Sequence, residues 1–120
     1  MIRQACAIAT LLSAAACGGG GSSGVPMTSG LPETAEVTSL SQSDISTLCS
    51  WVADYEGGPG TTLACNYTVN DPSRCVAGIL AAKSCQLTVS QVETCAYAFY
   101  SNACTALGNP ACGAVQLCSL

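Results

Sequence analysis

The ten cysteines are the residues of this chain that most clearly carry chemistry. Cysteine can form disulfides, bind a metal ion as the thiolate, or take part in thiol–disulfide exchange. No two cysteines have the C-x-x-C spacing of zinc and redox motifs, and the chain has no histidine, which is a frequent zinc ligand. We therefore expect structural disulfides, and no metal or other cofactor.

A catalytic site is not expected. The absence of histidine excludes a Ser/His/Asp or Cys/His nucleophile system. Asp54 with Glu56, or Asp44 with Glu93, could supply paired carboxylates. Solvated helix faces account for these four acids better, so the sequence predicts a protein that is not an enzyme.

The charge of the chain argues against a nucleic-acid partner. Three basic residues stand against seven acidic ones, which gives a formal net charge of −4. Binding to nucleic acid needs a basic surface that neutralises phosphates, and this chain has none to offer.

The first residues have the pattern of an export signal. Arg3 precedes an apolar segment over residues 5–16, which is too short to span a bilayer but has the length of a signal-peptide core. We expect residues 1–16 to be a signal peptide. Cleavage at Ala14-Ala15-Ala16 by ordinary signal peptidase, giving a secreted protein, is one outcome.

The sequence Leu12-Ser13-Ala14-Ala15-Ala16-Cys17, followed by a Gly/Ser tract, resembles a bacterial lipoprotein signal. That resemblance implies that Cys17 becomes the lipidated N-terminus and so anchors the protein to a membrane. Because Gly18 rather than an acidic residue follows, it also implies the outer membrane or the cell surface. Overall the chain is similar to small cysteine-rich lipoproteins of bacteria, whose function is not established.

Cysteine parity favours lipidation over plain secretion. Cleavage before Cys17 removes Cys6, and lipidation uses Cys17, so an even number of cysteines is left for pairing. The remaining eight are Cys49, Cys65, Cys75, Cys85, Cys95, Cys104, Cys112 and Cys118. They permit 105 pairings, of which we exclude only those with Cys112 bonded to Cys118, because the two face different sides of one predicted helix.

Residues 17–37 are rich in Gly, Ser, Thr and Pro and have no apolar period, which predicts a lipid-anchored flexible linker. The remainder, 38–120, is predicted to be an all-α, cysteine-rich domain of four short helices. We expect these helices over residues 41–56, 72–84, 88–103 and 109–118, on the basis of capping residues and apolar stripes. Residues 61–70 are expected to form an ordered loop.

The helical domain is too small for a strong apolar core, which explains why it needs disulfides. It has one Phe and one Trp, and its other apolar residues are mostly Ala, Leu and Val. Four disulfides, each contributing about 2–4 kcal/mol, would stabilise such a core decisively. With about one cysteine per helix or junction, we expect them to join neighbouring helices.

Four aromatic residues could form a partner surface, or could cover the rim of the core. They are Trp51, Tyr55, Tyr97 and Tyr100. Amphipathic aromatic side chains are favoured at binding surfaces.

Three functions agree with the sequence, and the preferred one is a membrane-anchored binding or structural module outside the cytoplasm. The second is a carrier of a small apolar ligand. Cys85-Gln86-Leu87-Thr88-Val89 and Cys118-Ser119-Leu120 are similar to elements of the elicitins, which carry sterols, and a helical domain with eight cysteines resembles plant lipid-transfer proteins. An enclosed apolar cavity of about 300 Å³ or more would favour this function. The third is an extracellular hydrolase inhibitor with Gly57–Gly60 as its inserting loop, a hypothesis that requires that loop to be exposed.

Overall fold

The computed structural model describes residues 24–82 and 85–118. The predicted signal peptide, Cys17, the first part of the linker and the predicted end of the second helix at Lys83 and Ser84 lie outside the described residues. The α-helices are α1 (Gln42–Tyr55), α2 (Pro72–Ala81), α3 (Val89–Asn102) and α4 (Pro110–Leu117). The described residues contain no β-strand, and the predicted all-α fold is confirmed.

Each helix begins where the sequence supplies a cap. Ser41 accepts a hydrogen bond from the backbone N–H of Asp44, and Thr88 forms a reciprocal capping box with Gln91. Asp71 and Asn109 cap α2 and α4, and each is followed by proline at the first helical position. These caps satisfy N–H groups that have no partner within the helix, which explains why the predicted starting points are correct.

All eight cysteines of the described part are paired, and the bonds join different elements. Cys49–Cys75 links α1 to α2, and Cys95–Cys112 links α3 to α4. Cys85–Cys118 ties the segment before α3 to the end of α4, and Cys65–Cys104 ties the 61–70 loop to the segment after α3. The predicted set of eight is therefore confirmed, and Cys112 and Cys118 are bonded to different partners.

The main core lies between the helices and the chain that leads into them. Leu48, Leu87 and Val89 are fully buried, and Ile45 and Ile79 pack with them. Leu40 and Ile45 both belong to this cluster, as do Leu87 and Val92, as expected for the hydrophobic staples at the starts of α1 and α3.

The part of the predicted flexible linker that the structure describes, residues 24–37, is folded against the helices. The backbone N–H of Val89 donates to the carbonyl of Ala35 over 2.9 Å, and that of Val37 donates to Leu87 over 2.7 Å. Val37 is 1% exposed, and Leu31 packs against the core. The prediction of a flexible linker is wrong here because single apolar anchors and main-chain hydrogen bonds hold the segment without any helical or strand period.

Within 24–82 and 85–118, no helix combines the length and apolar content that a membrane span requires. Four disulfides indicate an oxidising location outside the cytoplasm.

Candidate ligand cavity

A cavity of about 320 Å³ lies where the four helices approach one another. Every helix contributes an apolar side chain to its wall: Val52 from α1, Ile79 from α2, Val92 from α3 and Val115 from α4. The Cys49–Cys75 disulfide also lines it. The volume is at the lower end of the range for small-molecule sites, about 300–1,000 Å³.

The sequence after α1 creates the polar side of this cavity. Gly57 and Gly58 have φ angles of 107° and 101°, a region that favours glycine, and they reverse the chain directly after Glu56. The N–H of Gly58 donates to the carbonyl of Ala53 over 2.8 Å, and that of Gly57 donates to Asp54 over 3.1 Å. This turn fixes Glu56 at the C-terminal end of α1, where it lines the cavity.

The 61–70 loop then returns across the same cavity. Gly60 N–H donates to the carbonyl of Val69 over 2.9 Å, Val69 N–H donates to Thr61 over 2.8 Å, and Leu63 N–H donates to Tyr67 over 2.7 Å. These bonds confirm the predicted ordered loop. They position Tyr67 and Val69 as lining residues, with the Tyr67 ring packed on Phe99 at a centroid distance of 4.5 Å.

Glu56 is the buried charged residue of the cavity. It is 3% exposed, and its carboxylate accepts no hydrogen bond from any residue that the structure describes. Loss of hydration raises the pKa of Glu56 to about 7. Burial, followed by the negative charge of Glu56, raises the pKa of Tyr67 to about 12, so the phenol remains protonated at neutral pH.

Two further charged residues lie on the α2 side of the cavity, and both are exposed. The Asp71 carboxylate accepts a hydrogen bond of 2.9 Å from the N–H of Ser73, and this bond holds the pKa of Asp71 below its usual range. Arg74 is the one basic residue among the described residues, and no ion pair joins it to Glu56.

The expectation of solvated acids is correct for some of the four candidates and wrong for others. Asp54 is exposed and Asp44 is partly exposed, whereas Glu56 and Glu93 are 3% and 1% exposed. Glu93 accepts two hydrogen bonds from Ser29, from its N–H over 2.8 Å and from its hydroxyl over 2.6 Å. Glu56 and Glu93 are buried by segments that are distant in sequence. The helical periodicity of α1 and α3 gives no sign of such contacts.

The four predicted aromatic residues come together, but they do not form an open surface. Ring centroids lie 5.1 Å apart for Trp51 and Tyr55 and 5.6 Å apart for Tyr55 and Tyr100. Trp51 and Tyr55 are 6% and 5% exposed, Tyr97 is half-buried, and Tyr100 is exposed. Trp51 and Tyr55 belong to the interior while Tyr97 and Tyr100 lie nearer the surface, an arrangement that agrees with the alternative in which these residues cover the rim of the core.

The segment over residues 24–36 covers this aromatic cluster. Trp51 Nε1 donates to the carbonyl of Pro26 over 2.9 Å, and the Tyr97 hydroxyl donates to the carbonyl of Met27. Val25 packs on the same rings. The cluster therefore fastens the N-terminal segment to the helices.

The described residues contain no group of three or more side chains that could hold a metal ion. The Gly57–Gly60 loop is largely exposed, so the geometric requirement of the inhibitor hypothesis is met.

No protein-family model, curated protein or solved structure matches this chain.

Proposed function

We propose that this protein is an exported binding module that holds a small, largely apolar ligand between its four helices. The cavity of about 320 Å³ carries this proposal, because it has the size of a small-molecule site and each of the four helices gives it an apolar wall. It favours the carrier hypothesis over a purely structural role, for which a filled core would be sufficient.

The disulfides fit such a role. Cys49, Cys75 and Cys95 line the cavity, and their bonds join α1 to α2 and α3 to α4. A disulfide fixes the distance between the two Cα atoms that it joins, so these bonds limit how far α1 can move relative to α2, and α3 relative to α4. A preformed site also lowers the ordering cost that a ligand must overcome on binding.

The anchoring part of the proposal is that Cys17 carries a lipid that holds the protein at the outer membrane or cell surface. All eight cysteines of the described part are bonded to one another, so none of them is left as a partner for Cys17. This parity supports lipidation of Cys17 over secretion with a free thiol.

Titration with 1-hexanol, a neutral apolar probe, tests the cavity by amide NMR of the oxidised protein as the cell exports it. We expect saturable shifts concentrated at lining residues such as Val52, Ile79 and Val92. Ala53→Leu, which fills the cavity from α1, should weaken binding at least about fivefold because the added side chain occupies ligand volume.

The matched control is Ala81→Leu, the same substitution at an exposed position at the end of α2 outside the cavity. Ala96→Leu fills the cavity from α3 and serves as the second test if Ala53→Leu does not fold. Non-saturating shifts spread over the surface, or equal binding by the filled and control variants, would show that the cavity is not a binding site.

A further inference from the structure

The carboxylate of Glu56 has no protein counter-charge within the part of the chain described. Ordinarily a buried charge is paired, because removing an ion from water is costly unless a partner replaces the hydration. Asp71 is satisfied by the N–H of Ser73, and Arg74 is exposed and forms no ion pair with Glu56. The buried carboxylate of Glu56 therefore lacks a counter-charge in a cavity whose helix-borne walls are mainly apolar.

The surroundings of Glu56 favour a positive charge at that position. Glu56 is at the C-terminal end of α1, a helix of 14 residues, and the C-terminal end of a helix carries partial negative charge. All seven acidic residues of the chain lie in the described part, where Arg74 is the one basic residue. The resulting field attracts cations toward the domain.

From this arrangement we infer that the cavity takes a small organic cation, a primary amine with an apolar body, whose ammonium group binds the Glu56 carboxylate. The apolar body would lie against Val52, Ile79 and Val92, and the neutral phenol of Tyr67 would lie beside the polar end. This inference rests on the proposed function and names the ligand class of that same site.

Other ligand classes fit the cavity less well. A carboxylate ligand would bring a second negative charge next to Glu56 unless Arg74 moved inward to meet it. An alcohol could donate one hydrogen bond, but it would leave the buried charge uncompensated. An ammonium group supplies both the charge and the donors, and charge-assisted hydrogen bonds are about twice as strong as neutral ones.

The test compares three probes of equal chain length on the oxidised exported protein at pH 8: n-hexylamine, 1-hexanol and hexanoate. We expect n-hexylamine to bind about tenfold more tightly than 1-hexanol, as a hydrogen bond between charged groups would give. Glu56→Gln keeps the side-chain shape and removes the charge, so it should bring the two affinities within about threefold of each other. Asp54→Asn is the matched control, because it removes one exposed carboxylate from the same helix outside the cavity.

The pH dependence supplies a second readout. The titratable and charged groups that line the cavity are Glu56, Tyr67, Asp71 and Arg74; α3 and α4 contribute apolar residues and a disulfide-bonded cysteine. Between pH 8 and pH 5.5 only Glu56 changes charge to a large extent. Binding of n-hexylamine should therefore weaken about tenfold, while binding of 1-hexanol should remain unchanged.

The possible outcomes distinguish an error in the ligand class from an error in the binding site. Equal affinity for amine and alcohol, with no effect of Glu56→Gln, would overturn the amine inference and leave the cavity as an apolar site. Tightest binding of hexanoate would also overturn it and would indicate Arg74 as the binding group. Failure of all three probes to bind would contradict the proposed function together with the inference.

Discussion

Glu56 is the residue at which burial and charge conflict most directly. Its carboxyl group is 3% exposed at the end of α1, and desolvation raises its pKa from 4.5 to about 7. A raised pKa means that the folded state binds the proton more tightly than the unfolded state does. The contribution of Glu56 to stability is therefore largest at acid pH and is lost as the pH rises from about 4.5 through about 7.

We expect Glu56→Gln to stabilise the protein above pH 7, because the neutral amide removes the cost of a buried charge. In the native protein the free energy of unfolding should fall by up to about 3 kcal/mol across this pH interval, and most of that fall should disappear in the variant. Urea unfolding of the oxidised native protein and of the variant at pH 5, 6, 7 and 8 measures this pH dependence of the free energy of unfolding. Asp54→Asn should keep the native pH dependence, and an unaltered dependence in Glu56→Gln would show that Glu56 is well solvated.

Sequence reasoning at the residue scale succeeds where chemistry is local and fails where it depends on distant contacts. Cysteine parity, together with the predicted export signal, singles out the eight paired cysteines without any structure. Their pairing is not predictable, because the bonded residues are 17 to 39 positions apart and each cysteine has several candidates at similar separation. Glu56 looks like a solvated acid because the loop with Tyr67 and Val69, which line the same cavity, returns to it only after the glycine turn.

At the scale of elements, capping chemistry explains why the helices are well predicted. Ser41, Asp71, Thr88 and Asn109 each precede a helix and cap it, so the predicted starting points agree with the observed ones. Residues 24–36 have no such signal. Their order comes from contacts with α1 and α3, and composition alone therefore predicts a flexible linker where the structure has a folded segment.

We expect Ser29→Ala to loosen this N-terminal segment, because Glu93 then loses one of its two hydrogen bonds from Ser29. Loss of one hydrogen bond at a buried acceptor costs about 1–3 kcal/mol, so a measurable opening of the segment should follow. Trp51 is the single tryptophan and bonds to Pro26 in the same segment, so acrylamide quenching of its fluorescence reports the opening directly. Quenching should increase in Ser29→Ala.

Ser101→Ala is the control for this measurement, since Ser101 is an exposed residue of α3 away from the segment. The pKa of Glu33 is raised by its hydrogen bond with Glu93 and by desolvation, so ionisation of Glu33 at rising pH should oppose the same attachment. If Trp51 is quenched equally in Ser29→Ala and Ser101→Ala, the hydrogen bond from the Ser29 hydroxyl to Glu93 does not hold the segment in place.

At the scale of the whole molecule, the disulfides compensate for the limited stability of a core that is built mostly from small and medium-sized side chains. Besides the cysteines, the buried apolar residues are mostly Ala, Val, Leu and Ile, and a cavity interrupts their packing. Both features reduce the stability that apolar burial supplies. Four disulfides at about 2–4 kcal/mol each offset that loss.

At the same scale, the intact mass of the protein from native membranes tests the proposed lipid anchor. We expect a chain that begins at Cys17, carries acyl additions, and has eight hydrogen atoms fewer than the reduced form. In Cys17→Ser the acyl additions should vanish and the protein should leave the membrane, while the eight-hydrogen deficit remains because the eight cysteines of the described part pair with one another. A native mass without acyl chains would indicate secretion instead, and the ninth cysteine would then be found as a free thiol or in a bond between two molecules.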